Sequence, residues 1–195
     1  MALPIYELRI QPEVEGITQV DYVALVDMPA IEKDFIAFGK DRMLFEITNE
    51  EQRIISGPLM IADKPMFRSN VEIGDHYVMF KAPTIKEIAI KFAKKGFQKN
   101  VNEMHDPAKQ LAGITLFESF ITDTKRGIQP MKGFEDAPEG SWFGSMYVEN
   151  DTTWQDVKAG KFKGFSVEGL FIYDKPKPTE EQILAQLQKI FDQIS

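Results

Sequence analysis

Two segments of the sequence carry side chains that could together perform acyl transfer. Ser166 lies in GFSVEG (164–169), an apolar stretch bounded by glycines, and His105 lies in NEMHDP (102–107). A serine nucleophile needs an adjacent base, and histidine is the side chain that most often supplies one. The pattern is not the GxSxG elbow of α/β-hydrolases, because the second glycine comes one position late. The two segments nevertheless predict Ser166 as a nucleophile and His105 as its base.

Three carboxylates compete for the place of the acid that would orient His105. Alternation along a strand puts Glu118 on the face of Ile114, Leu116 and Phe120, where an unpaired carboxylate would be costly, so Glu118 is the first choice. Glu168 shares a face with Ser166, about 7 Å along the strand, and stays a second choice. Asp106 is adjacent to the histidine, but neighbouring side chains on an extended segment point to opposite faces.

Each of these residues also has a purely structural interpretation. The hydroxyl of a serine on a strand can simply form hydrogen bonds with neighbouring groups, and a histidine beside a proline can belong to an ordinary turn. Glu118 could lie on a solvated edge strand or pair with a lysine. His76 is the only other histidine, and it lies beside Asp75 at the start of an apolar segment, where a polar residue needs no functional role.

The composition narrows the classes of function. The chain has no cysteine and no HExxH or paired-histidine spacing, so we expect neither a cofactor nor a metal site. Its net charge of −7 disfavours binding to nucleic acid. The beginning of the sequence does not resemble a signal peptide, and no apolar stretch approaches the ~20 residues that span a bilayer. We therefore expect an intracellular protein that is not embedded in a membrane.

The elements that would position these residues are mostly strands. Apolar runs and turn residues predict strands at 21–26, 53–62, 76–80, 113–122, 142–148 and 164–173. Periodic apolar residues predict helices at 84–96, 153–158 and 179–194, with Thr84, Thr153 and Thr179 as their N-terminal caps.

This order predicts an α+β fold with a mostly antiparallel, β-barrel-like core flanked by a few helices. We predict three regions. An N-terminal extension, 1–52, contributes a strand to the domain, the core domain spans 53–175, and an amphipathic helix occupies 176–195 and packs on the core or on a partner.

Five segments, taken in order, resemble the XkdF-like serine proteases of phages. They are VDYVALVDMPAIEKDF, IISGPLMIADKPMFR, NEMHD, GITLFESFI and GSWFGSMYVENDTTWQDVKAGKFKGFSVEGLF. That family belongs with the phage prohead proteases, which are similar to the assemblin proteases of herpesviruses. The resemblance covers roughly residues 20–173. NEMHD and KGFSVEG look like the family's histidine and serine motifs and occur in the family's order.

The resemblance implies an assemblin-like or prohead-protease-like fold and a serine endopeptidase that matures capsids. It would act in the host cytoplasm, inside the immature capsid, on scaffold protein, major capsid protein and itself. The resemblance implies that Ser166 is the nucleophile and His105 the base. In assemblins the third member is a second histidine after the serine, and no histidine follows Ser166 here. An acid must therefore replace it, or the site works as a dyad.

Two other functions remain open from the sequence. The chain could be a non-catalytic capsid-assembly or scaffold-like protein that keeps the protease fold. It could also be an unrelated barrel that binds a small ligand, in which case Ser166 and His105 would not converge. The sequence leaves the oligomeric state open, a homo-oligomer included.

Overall fold

The computed structural model describes residues 3–11, 19–27, 46–49 and 52–174. Its strands and helices are, in chain order, β1 (Ile5–Arg9), β2 (Gln19–Val26), β3 (Glu46–Asn49), β4 (Ile54–Met60), β5 (Met66–Asn70), β6 (Gly74–Phe80), α1 (Ala82–Lys95), β7 (Val101–Glu103), β8 (Asp106–Gln110), β9 (Ile114–Ile121), β10 (Trp142–Val148), α2 (Asp151–Lys158), β11 (Gly164–Leu170) and β12 (Ile172–Asp174).

The strands form three sheets of four strands each. The first sheet has the order β12-β1-β6-β5, the second β3-β4-β10-β9, and the third β11-β2-β7-β8. Neighbouring strands are antiparallel except for β1 with β6 and β2 with β7. In the third sheet, β2 therefore lies between β11, which carries Ser166, and β7, which leads to His105.

One core cluster joins all three sheets and both helices. Its buried members include Leu8, Val78 and Phe80 of the first sheet, Leu59, Trp142 and Met146 of the second, Val23, Leu25 and Phe165 of the third, and Ile88, Phe92 and Trp154 of the helices. Because the sheets share this core, the third sheet is held in position by the packing of the other two.

Helix α1 covers the core with the apolar stripe that the sequence predicts. Ile85, Ile88 and Phe92 are buried, and each contributes about 1.5–3 kcal/mol of burial free energy. The helix ends at Gly96, whose φ of 74° suits a glycine. The predicted cap was wrong, since Thr84 lies buried within the first turn and Lys81 occupies the N-cap position.

Helix α2 also begins with a different cap from the one predicted. Asn150 precedes the helix, and its side chain accepts a hydrogen bond of 2.9 Å from the backbone N–H of Thr153. Among the described residues, no helix combines the length and the apolar character needed to cross a membrane.

The α+β class is confirmed, whereas the barrel-like core is not. The described strands form three separate four-stranded sheets and no closed barrel. The sequence predicted no separate strand for β1, β3, β5, β7 or β8, which are short or carry polar residues, and it predicted β11 and β12 as one strand, 164–173. The predicted helix at 179–194 lies outside the described residues, and the division into three regions stays a prediction.

Gly169 lies where the pairing of β11 with β2 shifts register, because Glu168 pairs with Tyr22 and Gly169 with Val20, which leaves Asp21 as an extra residue in β2. A Cβ at this position would lie 2.0 Å from the carbonyl oxygen of Gln19. Backbone atoms cannot move away as a side chain can, so we expect Gly169→Ala to lower the free energy of unfolding by about 2–4 kcal/mol.

Urea unfolding checks this prediction, with Gly127→Ala as the matched control. A Cβ at Gly127 would meet no atom within 4 Å, although φ is +76°. The free energy of unfolding of the control should therefore fall only by the cost of placing alanine in a left-handed backbone conformation, about 1 kcal/mol. If the free energy of unfolding fell equally in the two variants, the close approach of β11 and β2 would be contradicted.

Candidate active site

Ser166 lies in the middle of β11, at the edge of the third sheet. It pairs with Ala24 of β2, and its side chain is buried to 8% exposure. It lines a cavity of about 230 Å³ that is also bounded by residues of the first and second sheets. None of the hydrogen bonds found among the described residues involves its hydroxyl. The serine is thus placed beside a space that a ligand could enter.

A row of paired residues leads across the third sheet from the serine. Ser166 pairs with Ala24, and Ala24 pairs with Asn102 of β7, so the three side chains share one face. Asn102 is fully buried, and its Nδ2 donates a hydrogen bond of 2.6 Å to Oε2 of Glu168. This contact holds the Glu168 carboxylate over the face on which Ser166 lies.

His105 occupies the tip of the hairpin between β7 and β8. Glu103 pairs with Asp106, so Met104 and His105 form a two-residue loop, and both have positive φ, 53° and 60°. These angles define a type I′ turn, which usually contains Asn or Gly because other residues are strained there. Strain of this kind is typical of functional sites, where the surrounding structure holds a side chain in place.

Two contacts of Met104 hold the hairpin tip against β2. Its N–H donates to the carbonyl oxygen of Leu25 at 3.1 Å, and its sulfur accepts from the N–H of Asp27 at 3.4 Å. The Met104 side chain also packs against the core cluster. The turn is therefore fixed, and so is the starting point of the His105 side chain.

The His105 ring meets the carboxylate of Glu168. Nδ1 lies 3.6 Å from Glu168 Oε2, the oxygen that Asn102 also contacts, although the histidine side chain remains 39% exposed. Partial burial lowers the pKa of His105 below its usual value, and the positive charge of Arg68 lowers it further. The charge and hydrogen bond of Glu168 oppose that shift. The ring is therefore disposed to be neutral, as a general base must be.

Ser166 and His105 thus lie on the same side of the third sheet, joined through Glu168. The sequence predicts that Ser166 and His105 lie close enough for a direct or water-bridged hydrogen bond, and no direct bond between them is among those formed by the described residues. Such bonds are often long in unliganded enzymes and tighten when substrate binds. Since Nδ1 faces Glu168, Nε2 is the nitrogen left to accept a proton from the serine.

Glu118 is not the carboxylate beside His105. It lies on β9, the edge strand of the second sheet, and its side chain is exposed. The expectation that it shares a face with Leu116 was wrong, because the pairing with β10 skips Phe117. This bulge inserts one residue and turns Glu118 to the opposite face from Leu116.

The other two candidates have local structural roles. Asp106 Oδ1 accepts a hydrogen bond of 3.0 Å from the N–H of Ala108, which stabilises the start of β8. His76 is fully buried in the first sheet, where Nδ1 contacts the carbonyl oxygen of Gly74 at 2.8 Å. Within the described ranges, no group of three or more His, Asp or Glu side chains is arranged to hold a metal ion.

Two site residues escaped the sequence analysis. Asn102 precedes His105 by three positions, and it lies in β7, a three-residue strand whose sequence, VNE, gave no signal of a buried polar side chain. Arg68, on β5, lines the cavity with Ser166, and burial lowers the pKa of its guanidinium. It could not be recognised because β5 itself was not predicted.

Comparison with known protein families gives one match. The model of a family described as "Putative phage serine protease XkdF" matches residues 43–172, two thirds of the chain. The comparison with curated proteins and the comparison with solved structures each find no significant match.

Proposed function

Because this chain belongs to the XkdF family of phage serine proteases, we propose that it is a serine endopeptidase that matures the phage prohead. Its substrates would be scaffold protein, the major capsid protein and the enzyme itself. The observation that carries this proposal is the arrangement of Ser166, Glu168 and His105 on one face of the third sheet, beside a cavity.

The proposed chemistry is acyl transfer through Ser166. His105 Nε2 takes the hydroxyl proton as the oxygen attacks the scissile carbonyl, and then gives that proton to the leaving amine. Water then attacks the carbonyl of the acyl-serine while His105 Nε2 takes its proton, and the return of that proton to Ser166 Oγ breaks the ester bond and releases the acyl product. This needs His105 to be neutral at the start, which agrees with the lowered pKa.

Glu168 takes the place of the third member in this proposal. Its carboxylate holds Nδ1–H of His105 and stabilises the imidazolium that forms when the serine loses its proton. Asn102 positions Glu168 through the 2.6 Å hydrogen bond between their side chains. Glu168 lies two residues from Ser166 on the same strand, so the pairing of β11 with β2 sets both positions together.

An extended substrate fits the position of β11. This strand has a neighbour on one side only in the third sheet, as the described residues form it. Edge strands can pair with an added strand through their free backbone groups, which is a common mode of peptide recognition. A substrate held in this way would pass Ser166 with alternate side chains directed toward the cavity.

Co-expression with the phage's own scaffold and major capsid proteins tests the proposed function. Wild-type protein should shorten one or both at discrete sites, seen by intact-mass spectrometry, whereas Ser166→Ala should leave them whole. Cleavage that persists unchanged in the Ser166→Ala variant would refute the assignment of the nucleophile. Intact partners with the wild-type protein would instead support a non-catalytic role in capsid assembly.

The pH dependence of cleavage should reflect the environment of His105. The rate falls as pH drops through the pKa of the base, so the acid limb of kcat/KM should lie below the ordinary histidine value of about 6.5. Glu168→Gln removes a group that raises this pKa and should move the limb to lower pH. Arg68→Met removes a group that lowers it and should move the limb to higher pH.

Peptide cleavage measured from pH 4 to 9 would show these shifts. Lys132→Met is the matched control, since Lys132 lies on the loop between β9 and β10 and does not contribute to the shift at His105. If Glu168→Gln and Arg68→Met both left the limb unchanged, His105 would not be the base.

A further inference from the structure

A second cavity adjoins the cavity beside Ser166. It has a volume of about 340 Å³, and Ile61 and Lys64 belong to the walls of both cavities. The first cavity reaches the carboxyl end of β4 at Met60, and the second continues past that end along residues 61–65. A peptide that lies in the first cavity can therefore continue directly into the second.

Two segments that are distant in the sequence form the walls of the second cavity. One is the turn after β4, residues 61–65, and the other lies within 133–138, in the loop between β9 and β10. Ser141, which is fully buried, joins them. Its Oγ accepts a hydrogen bond of 3.1 Å from the N–H of Ala62 and donates one of 2.6 Å to the carbonyl oxygen of Pro138. The two walls are therefore held at a fixed separation.

The first wall is a strained turn that other contacts keep in place. Asp63 has a φ of 56°, which is uncommon for a residue other than glycine. Its N–H donates a hydrogen bond of 2.9 Å to the carbonyl oxygen of Phe80, and its carboxylate forms an ion pair with Lys81. Backbone strain persists only where the surrounding structure maintains it, and such residues are concentrated at sites that hold ligands.

The second wall presents apolar surface to the cavity. Phe134 lies edge-on against the buried ring of Phe143, with ring centres 5.7 Å apart. Ala137 packs against the same small cluster, which Phe143 forms with Ile61. Phe134 and Ala137 are themselves only partly buried, so a ligand in the cavity can cover the apolar surface that they leave open.

The charges around the second cavity do not favour a charged ligand. Among the described residues that line it, those with charged side chains are Asp63, Lys64 and Asp136. The carboxylate of Asp63 already has its ion pair with Lys81, and Lys64 and Asp136 have opposite signs. The described lining therefore combines apolar surface with balanced charge, which suits an apolar side chain.

From this arrangement we propose that the second cavity is a subsite for a large apolar side chain of an extended peptide substrate, several residues from the scissile bond. The occupant is the substrate because the cavity continues from the one beside the proposed nucleophile, and because an edge strand such as β11 orders a bound peptide in an extended form. Binding energy gained at such a remote point can also lower the barrier to the chemical step.

This inference rests on the proposed peptidase function, and the length of the substrate tests it. A scaffold peptide that contains a cleavage site would be compared in a long form, with about six residues on each side of the scissile bond, ~20 Å of extended chain, and in forms shortened at one end or the other. The second cavity adjoins one side of the first, so shortening one end should lower kcat/KM by about 10–100-fold, the effect of losing one buried apolar side chain. Shortening the other end should cost much less.

Replacement of the residues at the sensitive end, one at a time, locates the apolar contact. Serine should lower kcat/KM strongly at one position, and that position should prefer Leu or Phe to Ala. Ala137 contributes only a methyl group to the wall, so Ala137→Leu should shift the preference at this position toward Ala. Ala137→Trp should fill the cavity and remove both the preference and the dependence on length. A dependence on length that persists in Ala137→Trp would overturn the subsite.

Lys125→Trp is the matched control for these variants. Lys125 is exposed on the same loop between β9 and β10, and it does not line the second cavity. This variant should keep both the preference for an apolar side chain and the dependence on length. Thermal melting of all three variants checks that the loop and the sheets around it remain folded.

A binding measurement covers the case of an inactive protein. Ser166→Ala protein labelled with carbon-13 in its alanine methyl groups reports on the second cavity through Ala137, and overlapping peptides from the scaffold protein serve as probes. Long peptides that bind should shift the Ala137 signal, and their shortened forms should not.

The outcomes separate the subsite from the peptidase function. Cleavage that depends on the length of neither end would overturn the subsite and leave the peptidase function standing. A shift of the Ala137 signal without cleavage by the wild-type protein would leave the second cavity as a peptide-binding site and overturn the peptidase function. Neither a shift nor cleavage would overturn both.

Discussion

Ser166→Ala is expected to reduce the rate of peptide cleavage by at least about 10⁴-fold, and His105→Asn by a similar factor. The double variant should be no slower than either single one. The hydroxyl and the imidazole act as a unit in the proposed step, so removing one makes the other useless. Purified proteins, assayed on a peptide that spans a scaffold cleavage site, would give these rates.

The fold of the His105→Asn variant can be checked separately from its activity. His105 has a φ of 60°, a value that asparagine tolerates better than most residues. The variant should therefore melt at the wild-type temperature or slightly above it, even though it is inactive. Losses that multiply in the double variant would show that Ser166 and His105 act independently, against the proposed mechanism.

Glu168→Gln has the second-largest expected effect, a fall in cleavage rate of about 10²–10⁴-fold. The substitution keeps the shape of the side chain and its contact with Asn102 but removes the charge that stabilises the His105 imidazolium. The amide can also present N–H to Nδ1 and so favour the wrong tautomer of the ring. Steady-state kinetics should show the loss mainly in kcat, because the imidazolium exists only as the reaction proceeds.

Glu118→Gln is the matched control for this prediction. Glu118 is exposed on the second sheet, so its variant should cleave at the wild-type rate and melt at the wild-type temperature. The opposite pattern, a large loss in Glu118→Gln and none in Glu168→Gln, would return the orienting role to Glu118. If neither variant were slower, Ser166 and His105 would work as a dyad.

Alternation along single strands predicted much of the site. Ser166 and Glu168 share a face of β11, as expected, because that segment is regular between Gly164 and Glu168. The prediction for Glu118 failed for the converse reason. One extra residue in β9, Phe117, reverses every later side chain, and neither its size nor its polarity signals a bulge.

Contacts between distant strands could not be predicted from local patterns. Asn102 meets Glu168 only because both strands flank β2, and Arg68 lines the same cavity as Ser166 only because the first and third sheets share a core. The turn at Met104–His105 was not predicted for a different reason. Type I′ turns are recognised by Asn and Gly, and here both central positions hold residues that rarely adopt positive φ.

The central position of β2 determines when the proposed active site can first form during synthesis. Ser166 pairs with Ala24, which is made 142 residues earlier, so β11 must be added beside a strand, β2, that already exists. His105 joins the same sheet through β7, which pairs with the other edge of β2. At ~5–20 residues per second, the ribosome needs roughly 7–28 s to make the intervening chain. For the last 61 of those residues, from His105 to Ser166, or roughly 3–12 s, the nascent polypeptide holds the proposed base but not the proposed nucleophile. In the proposed mechanism, catalytic competence therefore arises only after β11 has been made, which spares the growing chain and any partner that binds it before then.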